Sequence, residues 1–314
     1  MKSPFTNVYG VARTLLACNT LISLLSSDAI ASFRPAQLST ADSGYKIAAA
    51  DYGLFALLNG REALARWVAI ALLVVVASGY RPRWTGVLHW WVSASFFASM
   101  VTQDGGDQCA AVLTLMLIPL TLCDPRVWHW SASPAIESRS ADVLQRIGRS
   151  TLFATRFQIA GLYLHAAVGK VAIREWTNGT AIYYWLLDTR VGVATVYHDW
   201  VLALLRPAWV SAALTWGPMA LEFALFLALA MAPGHRARKL LFWLGLLFHV
   251  GNAVFFGLVS FMIAMTAALV LLLRPAEEPY VLPAWLARTA LWLRHWRRPV
   301  LLSADLPQPE IASR

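Results

Sequence analysis

The sequence predicts an all-α fold, a polytopic integral membrane bundle of six to eight transmembrane helices. Hydrophobic residues make up 58% of the 314 residues and charged residues 14%, which leaves too few polar side chains to cover a soluble core. Several apolar runs approach the roughly 20 residues with which a helix crosses a bilayer. Many of the 15 tryptophans lie near the ends of these runs, where the membrane–water boundary favours an amphipathic indole.

Eight apolar runs are candidate spans. In chain order they cover residues 9–28, 63–80, 85–103, 108–123, 152–173, 207–232, 239–257 and 259–273. The fourth run is short and the last two are nearly continuous, so either the fourth or the last pair could be re-entrant. Together the runs define a predicted transmembrane domain of residues 1–275, which is followed by a short basic tail with several prolines, residues 276–314.

The basic residues predict how these helices are oriented. Lys2 precedes the first run, and arginine and lysine are concentrated after the second, fourth and sixth runs and after the last one. Such segments belong in the cytoplasm. Both termini and the 276–314 tail are then cytoplasmic, and the loop that carries Trp176 is outside. This bias also accounts for the net charge of +9, so that charge requires no nucleic-acid partner.

The N-terminus has an alternative interpretation. Lys2 and Arg13, the apolar stretch over residues 14–25 and Ala29-Ile-Ala31 together resemble a cleavable signal peptide. The hydrophobic chain continues after this stretch without a long polar gap, which favours a permanent first span.

Several functions are excluded by motifs that the sequence lacks. Cys109 and Cys123 would lie about 21 Å apart on one helix, too far for a disulfide. No paired-cysteine motif points to zinc or thiol-redox chemistry, and the histidines lack the spacing of metal ligands, so no metal site is predicted. The patterns of serine hydrolases, zinc proteases, phosphate-binding loops and dinucleotide-binding folds do not occur in a suitable context.

Lys170 is the strongest candidate for a functional residue, because an ammonium inside an apolar helix costs roughly 2.5–3.5 kcal/mol near the helix centre. On a helix, Arg156, Tyr163 and Lys170 form one stripe. Gln158 and His165 form a second stripe on another side, so these residues cannot all face one small cavity. Burial along the first stripe disfavours the charged amine and could leave a base usable near neutral pH. Alternatively, Lys170 lies near the outer surface and extends its head into water.

A second polar group lies in the sixth and seventh runs. His249 and Asn252 share one helical face and could orient a substrate or move a proton. They could equally bridge two helices without catalysis. Glu222 is a buried carboxylate by position and a potential partner for Lys170, Arg156 or His249, with a structural ion pair as its predicted role.

Two polar turns complete the candidates. Asp104-Gly-Gly-Asp107 offers two carboxylates, whereas a hard cation takes six or more oxygens, so a tight external turn is the better interpretation. Asn178-Gly-Thr180 matches a glycosylation acceptor but is predicted to form a turn after Trp176.

The residues around Lys170 resemble a known superfamily. The segments Tyr163-Leu-His-Ala-Ala-Val-Gly-Lys170 and 175–184 are similar to the central motif of the horizontally transferred transmembrane (HTTM) domain, which is shared with vitamin K-dependent gamma-carboxylase. Residues 249–258 are similar to its later histidine-containing helix. In the carboxylase, the lysine matching Lys170 deprotonates a reduced quinone, whose oxygenation drives carboxylation of peptide glutamates. The resemblance thus implies catalytic roles for Lys170 and His249, and a reduced quinone as the candidate cofactor.

This chain departs from the carboxylase pattern in two respects. Ala167 stands where the family pattern usually has glycine, and the chain shows no large extramembrane domain that could grip a propeptide. The lysine makes quinone-type chemistry feasible, whereas the second departure argues against ordinary glutamate carboxylation.

Within the superfamily, three further segments resemble the bacterial SdpB (sporulation-delaying-protein B) family. They are residues 6–16, 104–108 and 124–126, and the whole resemblance extends over roughly residues 6–275. SdpB works beside a small partner, SdpA, to mature a secreted antimicrobial peptide. The resemblance implies a multi-pass protein of the bacterial inner membrane, with an SdpA-like partner and a peptide toxin precursor as substrate.

The leading hypothesis is therefore a membrane-embedded maturation factor for a peptide toxin, in which Lys170 is the base or essential polar group. The residues expected around it are His249, Tyr163, Trp176, Glu222, Asn252 and Arg156. The alternatives are a quinone-coupled carboxylase or oxygenase, and a non-enzymatic export or immunity protein that binds the peptide without altering it.

Overall fold

The computed structural model describes residues 3–26, 52–100, 104–132 and 138–281, and every regular element in these ranges is a helix. The first six are α1 (Asn7–Ser26), α2 (Leu54–Leu57), α3 (Glu62–Ser78), α4 (Pro82–Ser99), α5 (Gly105–Met116) and α6 (Ile118–Leu122). The next four are α7 (Arg139–Val171), α8 (Arg174–Thr177), α9 (Ala181–Leu187) and α10 (His198–Leu205). The last three are α11 (Ala208–Leu227), α12 (Arg236–Phe256) and α13 (Val259–Leu273). Short 3-10 helices at Thr195–Tyr197 and Ala228–Ala230 precede α10 and extend α11.

The prediction of an all-helical, apolar fold is confirmed, but the number of spans is lower than expected. Among the described residues, three helices are long and apolar enough to cross a membrane, namely Asn7–Ser26, Ala208–Ala230 and Arg236–Phe256. The others fall short for local reasons. Helices α3 and α13 have 17 and 15 residues, and the run at 108–123 is divided at Leu117 into α5 and α6. In α7, the polar residues Arg156, Gln158 and His165 lower the hydropathy.

Two predicted features lie outside the described residues. They are the segment at 29–31 that resembles a signal-peptide cleavage site and residues 282–314 of the basic tail.

Helix α13 lies at the centre of the bundle. It packs most extensively against α1 and α12, and it also contacts α5 and α7. Its C-terminal half is continuously buried from Ala267 to Leu273. A short helix is stable here because neighbouring helices, rather than solvent or lipid, surround it.

Two arginines satisfy the carbonyls at the end of α13. The last turn of a helix leaves its carbonyls without intrahelical donors, which is costly where water is absent. Arg156 and Arg238 supply guanidinium donors at distances of 3.0–3.1 Å, together with one shorter contact from Arg238. The accepting carbonyls belong to Leu271, Leu272, Leu273 and Arg274. Arg156, which the sequence analysis placed around Lys170, therefore caps α13 in the structure.

Candidate functional site

Lys170, one residue before the end of α7, is paired with Glu222 of α11. Its Nζ lies 2.7 Å from both carboxylate oxygens and also donates to the Ala166 carbonyl at 3.1 Å. The Lys170 side chain is 20% exposed and that of Glu222 only 6%. Of the three partners considered for Glu222, the structure selects Lys170. Such a pair is stable in an apolar setting only because its geometry is good and further hydrogen bonds support it.

The pair lies deep along α11. Together with its terminal 3-10 turn, this helix covers 23 residues, Ala208–Ala230. At 1.5 Å per residue, Glu222 lies about 21 Å along the axis from Ala208. The Lys170 ammonium is thus held beside the interior of an apolar helix and points at a carboxylate, instead of extending past the helix end.

Trp176 of α8 covers the other side of the ammonium. Lys170 Nζ lies 5.2 Å from the centre of the Trp176 ring, within the range of a cation–π contact. The Trp176 carbonyl accepts a hydrogen bond of 3.0 Å from the indole of Trp216 on α11. The half-buried Trp176 is therefore fixed in place by the same helix that carries Glu222.

Tyr163 and His249 form a second pair between α7 and α12. The phenol oxygen of Tyr163 lies 3.0 Å from His249 Nε2, and both residues are 1% exposed. The other imidazole nitrogen, Nδ1, is buried and has no hydrogen-bond partner among the described residues. Phenol and imidazole can share one proton across this contact, and Nδ1 is free to accept another polar group.

The predicted site residues are brought together in pairs and not as one cluster. Tyr163 and Lys170 are two helical turns apart, about 10 Å along α7, and Arg156 lies two further turns away. Asn252 is half-buried, and its carbonyl accepts the Leu258 amide at the end of α12.

The second predicted stripe of α7 has a different environment. Gln158 and His165 are both exposed. They lie on the outer side of α7, away from the Tyr163 and Lys170 contacts, as their spacing on the helix predicted.

The Asp104-Gly-Gly-Asp107 segment is a packed helix start and not the external turn predicted above. Asp104 caps α5 through the Gly106 amide at 3.2 Å and accepts a hydrogen bond from the Ser260 hydroxyl. A Cβ on Gly106 would lie 2.6 Å from Phe261 Cα, so only glycine permits this approach to α13. The Phe261 ring packs edge-on against His249, with ring centres 5.6 Å apart. The segment thus supports the wall next to the Tyr163–His249 pair.

Asp107 ties the same segment to α1. Its side chain is buried and accepts hydrogen bonds from Asn19 at 2.9 Å and from Ser23 at 3.2 Å. Both hydrogen bonds are accepted by Oδ1, which is therefore used inside the bundle. Within the described residues, no group of three or more potential metal ligands is found.

A buried cluster around Asp124 was not predicted as a unit. Arg126 and Asp124 form an ion pair of 2.8 Å whose side chains are 1% and 0% exposed. The Tyr9 hydroxyl donates to the same carboxylate, and the Arg126 guanidinium lies 5.3 Å from the centre of the Tyr9 ring. The cluster joins α1 to the segment that follows α6.

Arg13 extends this cluster along α1. It is 1% exposed and donates to Thr85 of α4 at 2.6 Å, and its Nη1 lies 3.4 Å from His129 Nδ1. The signal available in the sequence was an arginine inside the first apolar run, which the signal-peptide interpretation explained as a flanking charge. In the structure this charge is an internal part of the bundle.

Comparison with known proteins shows two similar bacterial proteins. It is 38% identical over 287 residues to YitO of Bacillus subtilis (strain 168), whose function is uncharacterized, with 88% of each chain covered. It is 32% identical over 282 residues to the sporulation-delaying protein SdpB of the same organism, with 88% of this chain and 84% of SdpB covered. The chain belongs to the SdpB family. The family assignment predicted from the sequence is therefore confirmed.

No family model matches the chain, and no solved structure is similar to it. The wider relationship to the gamma-carboxylase superfamily therefore stays a prediction from the residues around Lys170.

In this SdpB-family chain, His129 is neutral in the folded state. Burial, followed by the charges of Arg13 and Arg126, lowers its pKa to about 2. The contacts agree, since a guanidinium can only donate and Nδ1 must then accept from Arg13. Nε2 lies 3.3 Å from the Thr14 hydroxyl, which fits a proton on that nitrogen.

Acid is therefore expected to destabilise the protein through His129. In the unfolded chain the imidazole titrates near its ordinary pKa of about 6.5. The stabilising contribution is complete above that pH and declines below it by up to about 1.4 kcal/mol per pH unit, because only the unfolded state binds the proton. SDS titration in mixed micelles at about pH 7.5 and about pH 5.5, roughly one unit on either side of that pKa, would compare wild type with His129→Gln. The variant should have the shallower pH dependence; equal slopes would contradict the assignment.

Proposed function

We propose that this chain is a membrane-embedded maturation factor for a secreted antimicrobial peptide, with the Lys170–Glu222 pair at the centre of its working site. Membership of the SdpB family and the apolar helices support the membrane and toxin-pathway part of the proposal. The observation that supports the site is the lysine ammonium held on a buried carboxylate in the interior of α11. We place the protein in the bacterial inner membrane with both termini in the cytoplasm.

The pair offers a route to a neutral amine. One proton moves from Nζ to a Glu222 oxygen 2.7 Å away, which converts the ion pair into an amine and a carboxylic acid without any change in net charge. Exclusion of water favours the neutral forms, because burial penalises charge. Nζ can then accept a proton from an acidic group of a substrate. Trp176, against the same ammonium, favours the charged form again once the proton has been accepted.

The Tyr163–His249 pair is suited to hold a second proton or to orient the ligand. It lies about 10 Å from Lys170 along α7, so a ligand that contacts both pairs is elongated. A peptide segment or another extended molecule meets this requirement. In the proposed arrangement, the peptide precursor is the substrate and a small SdpA-like protein is the partner.

A quinone-coupled carboxylase or oxygenase is the second candidate. The observation in its favour is the counter-ion of Lys170, since a base that deprotonates a weakly acidic hydroquinone must itself lose a proton first. A reduced quinone, when bound, would be oxidised by dioxygen, and this oxidation would drive the addition of carbon dioxide or oxygen to the peptide, which would then gain mass. A non-enzymatic export or immunity role predicts an unmodified peptide and indifference to the amine.

The test is intact mass spectrometry of the secreted peptide from cells that carry the candidate precursor and partner. Wild type would be compared with Lys170→Ala, and with Lys239→Ala as a matched control at an exposed lysine of α12. After membrane levels are equalised, Lys170→Ala should abolish or strongly reduce the mature product, and Lys239→Ala should not. An unchanged mass and yield with Lys170→Ala would contradict the proposal.

A further inference from the structure

The segment between α7 and α11, residues 174–205, is attached to the side of α11 and does not project beyond the N-terminal end of that helix. Four hydrogen bonds of 3.0–3.2 Å join the two. The residues of α11 that take part are Ser211, Thr215 and Trp216, and those of the segment are Trp176, Gly179 and Ile182. On α11 these positions lie about 5–12 Å along the axis from Ala208. The segment therefore runs beside the first third of a helix that is long and apolar enough to cross the membrane.

The chain enters this segment at a still deeper level. Lys170, at the end of α7, meets Glu222 about 21 Å along α11 from Ala208. From there the chain runs beside α11, through α8 and α9, towards the N-terminal end of that helix. It then enters α11 through α10 and Pro207. The loop predicted from the sequence to lie outside is thus, in the structure, a series of short helices alongside a candidate span.

The segment has a small core of its own and an apolar outer face. Leu186, Val201 and Leu205 are buried together and fix α9 against α10. The outer face consists of exposed aromatic and aliphatic side chains, and Trp200 is 81% exposed. The others are Tyr184, Val196, Tyr197, Leu202, Leu204 and, at the start of α11, Trp209. Exposure of such a surface to water costs about 25 cal/mol for each Å² of apolar area, relative to its burial in an apolar environment.

The composition of this face favours a lipid surface over a charged partner. Charged residues of the segment nearly balance, and Asp188 and Arg190 pair with each other at 3.0 Å. Tryptophan and tyrosine carry an apolar ring with one polar group, which suits the boundary between headgroups and acyl chains. Short helices leave the amides of their first turn and the carbonyls of their last turn without intrahelical partners, and the hydrated headgroup region can supply partners for them.

We infer that residues 174–205 form an interfacial element whose outer face, Tyr184 and Trp200 included, contacts phospholipid at the headgroup–acyl boundary. The element neither crosses the membrane nor stands in water. Trp176 is its inner edge, so the element also forms the wall of the Lys170 site on the side of the α11 start.

Nitroxide accessibility tests this placement without any peptide assay. The full chain, with Cys18, Cys109 and Cys123 replaced by alanine, would carry one spin label through Trp200→Cys or Tyr184→Cys. Ser140→Cys, on the exposed polar start of α7, is the control. In vesicles of phosphatidylethanolamine and phosphatidylglycerol, collision rates with lipid-soluble oxygen and with a water-soluble nickel chelate are measured by power-saturation EPR.

The expected result is a reversal of the collision ratio between the segment and the control. Oxygen should dominate at positions 184 and 200, and the nickel chelate at position 140. Dominance of the nickel chelate at both segment positions would place the face in water, and low collision with either reagent would place it against protein; each result would overturn the inference. Because the measurement needs no toxin precursor, its failure would leave the role of Lys170 untouched.

Discussion

Lys170→Met is expected to lower the free energy of unfolding by about 3–5 kcal/mol, because it leaves the Glu222 carboxylate buried without its counter-ion. The Glu222 side chain is 6% exposed, and both of its oxygens accept from the Lys170 amine. Glu222→Leu should cost less, since the Lys170 side chain is 20% exposed and its long stem can turn the ammonium towards water. SDS titration of the full chain in mixed micelles measures both effects.

The double variant Lys170→Met/Glu222→Leu separates stability from function. Replacing both charges with apolar groups removes the unpaired carboxylate, so most of the lost stability should return. If Lys170 takes part in peptide maturation, the double variant is stable but still inactive. If the double variant still matures the peptide, the Lys170–Glu222 pair is only a structural contact. If the Lys170→Met protein is as stable as wild type, the pair does not stabilise the fold as a buried ion pair.

Helical periodicity predicted the direction of side chains on α7 but not the groups that face them. Tyr163 and Lys170 both point into the bundle, and Gln158 and His165 are exposed, as their spacing indicated. Arg156 belongs to the same stripe, yet the end of α13 and not a cavity stands opposite it. The spacing of residues along a helix gives the direction of each side chain around the helix axis. The group that each side chain meets depends on packing between segments that are distant in the sequence.

The number of spans was harder to predict for a related reason. Hydropathy measures how a helix would behave against lipid, whereas α13 is enclosed by other helices and is stable with 15 residues. Contacts between distant segments could not be predicted from the sequence either. Arg13, for example, contacts Thr85 and His129, which lie 72 and 116 residues away. Membership of the SdpB family could be predicted, because its short motifs are visible in the sequence without knowledge of their contacts.

The second large effect is expected at the cluster around Asp124. Asp124→Asn should cost about 3–5 kcal/mol, because the change removes the carboxylate that neutralises the Arg126 guanidinium, 1% exposed, inside the bundle. The Tyr9 hydroxyl also loses its charged acceptor, so α1 is held less firmly. The remaining bonds of Arg126 to the carbonyls of His129 and Ser131 do not replace the lost charge.

Asp188→Asn is the matched control, because the same chemical change then falls on an exposed ion pair with Arg190. The Arg190 side chain is 85% exposed and can reach water or headgroups, so the pair contributes little and the control should have no measurable effect on unfolding. SDS titration of both variants, with amide hydrogen exchange of α1, distinguishes a local from a global loss. Faster exchange in α1 that accompanies the destabilisation of Asp124→Asn would identify the cluster as the anchor of the first helix. Equal stabilities of the two variants would mean that the Asp124–Arg126 charges are compensated in another way, and that the packing of α1 against α13 holds the helix in place.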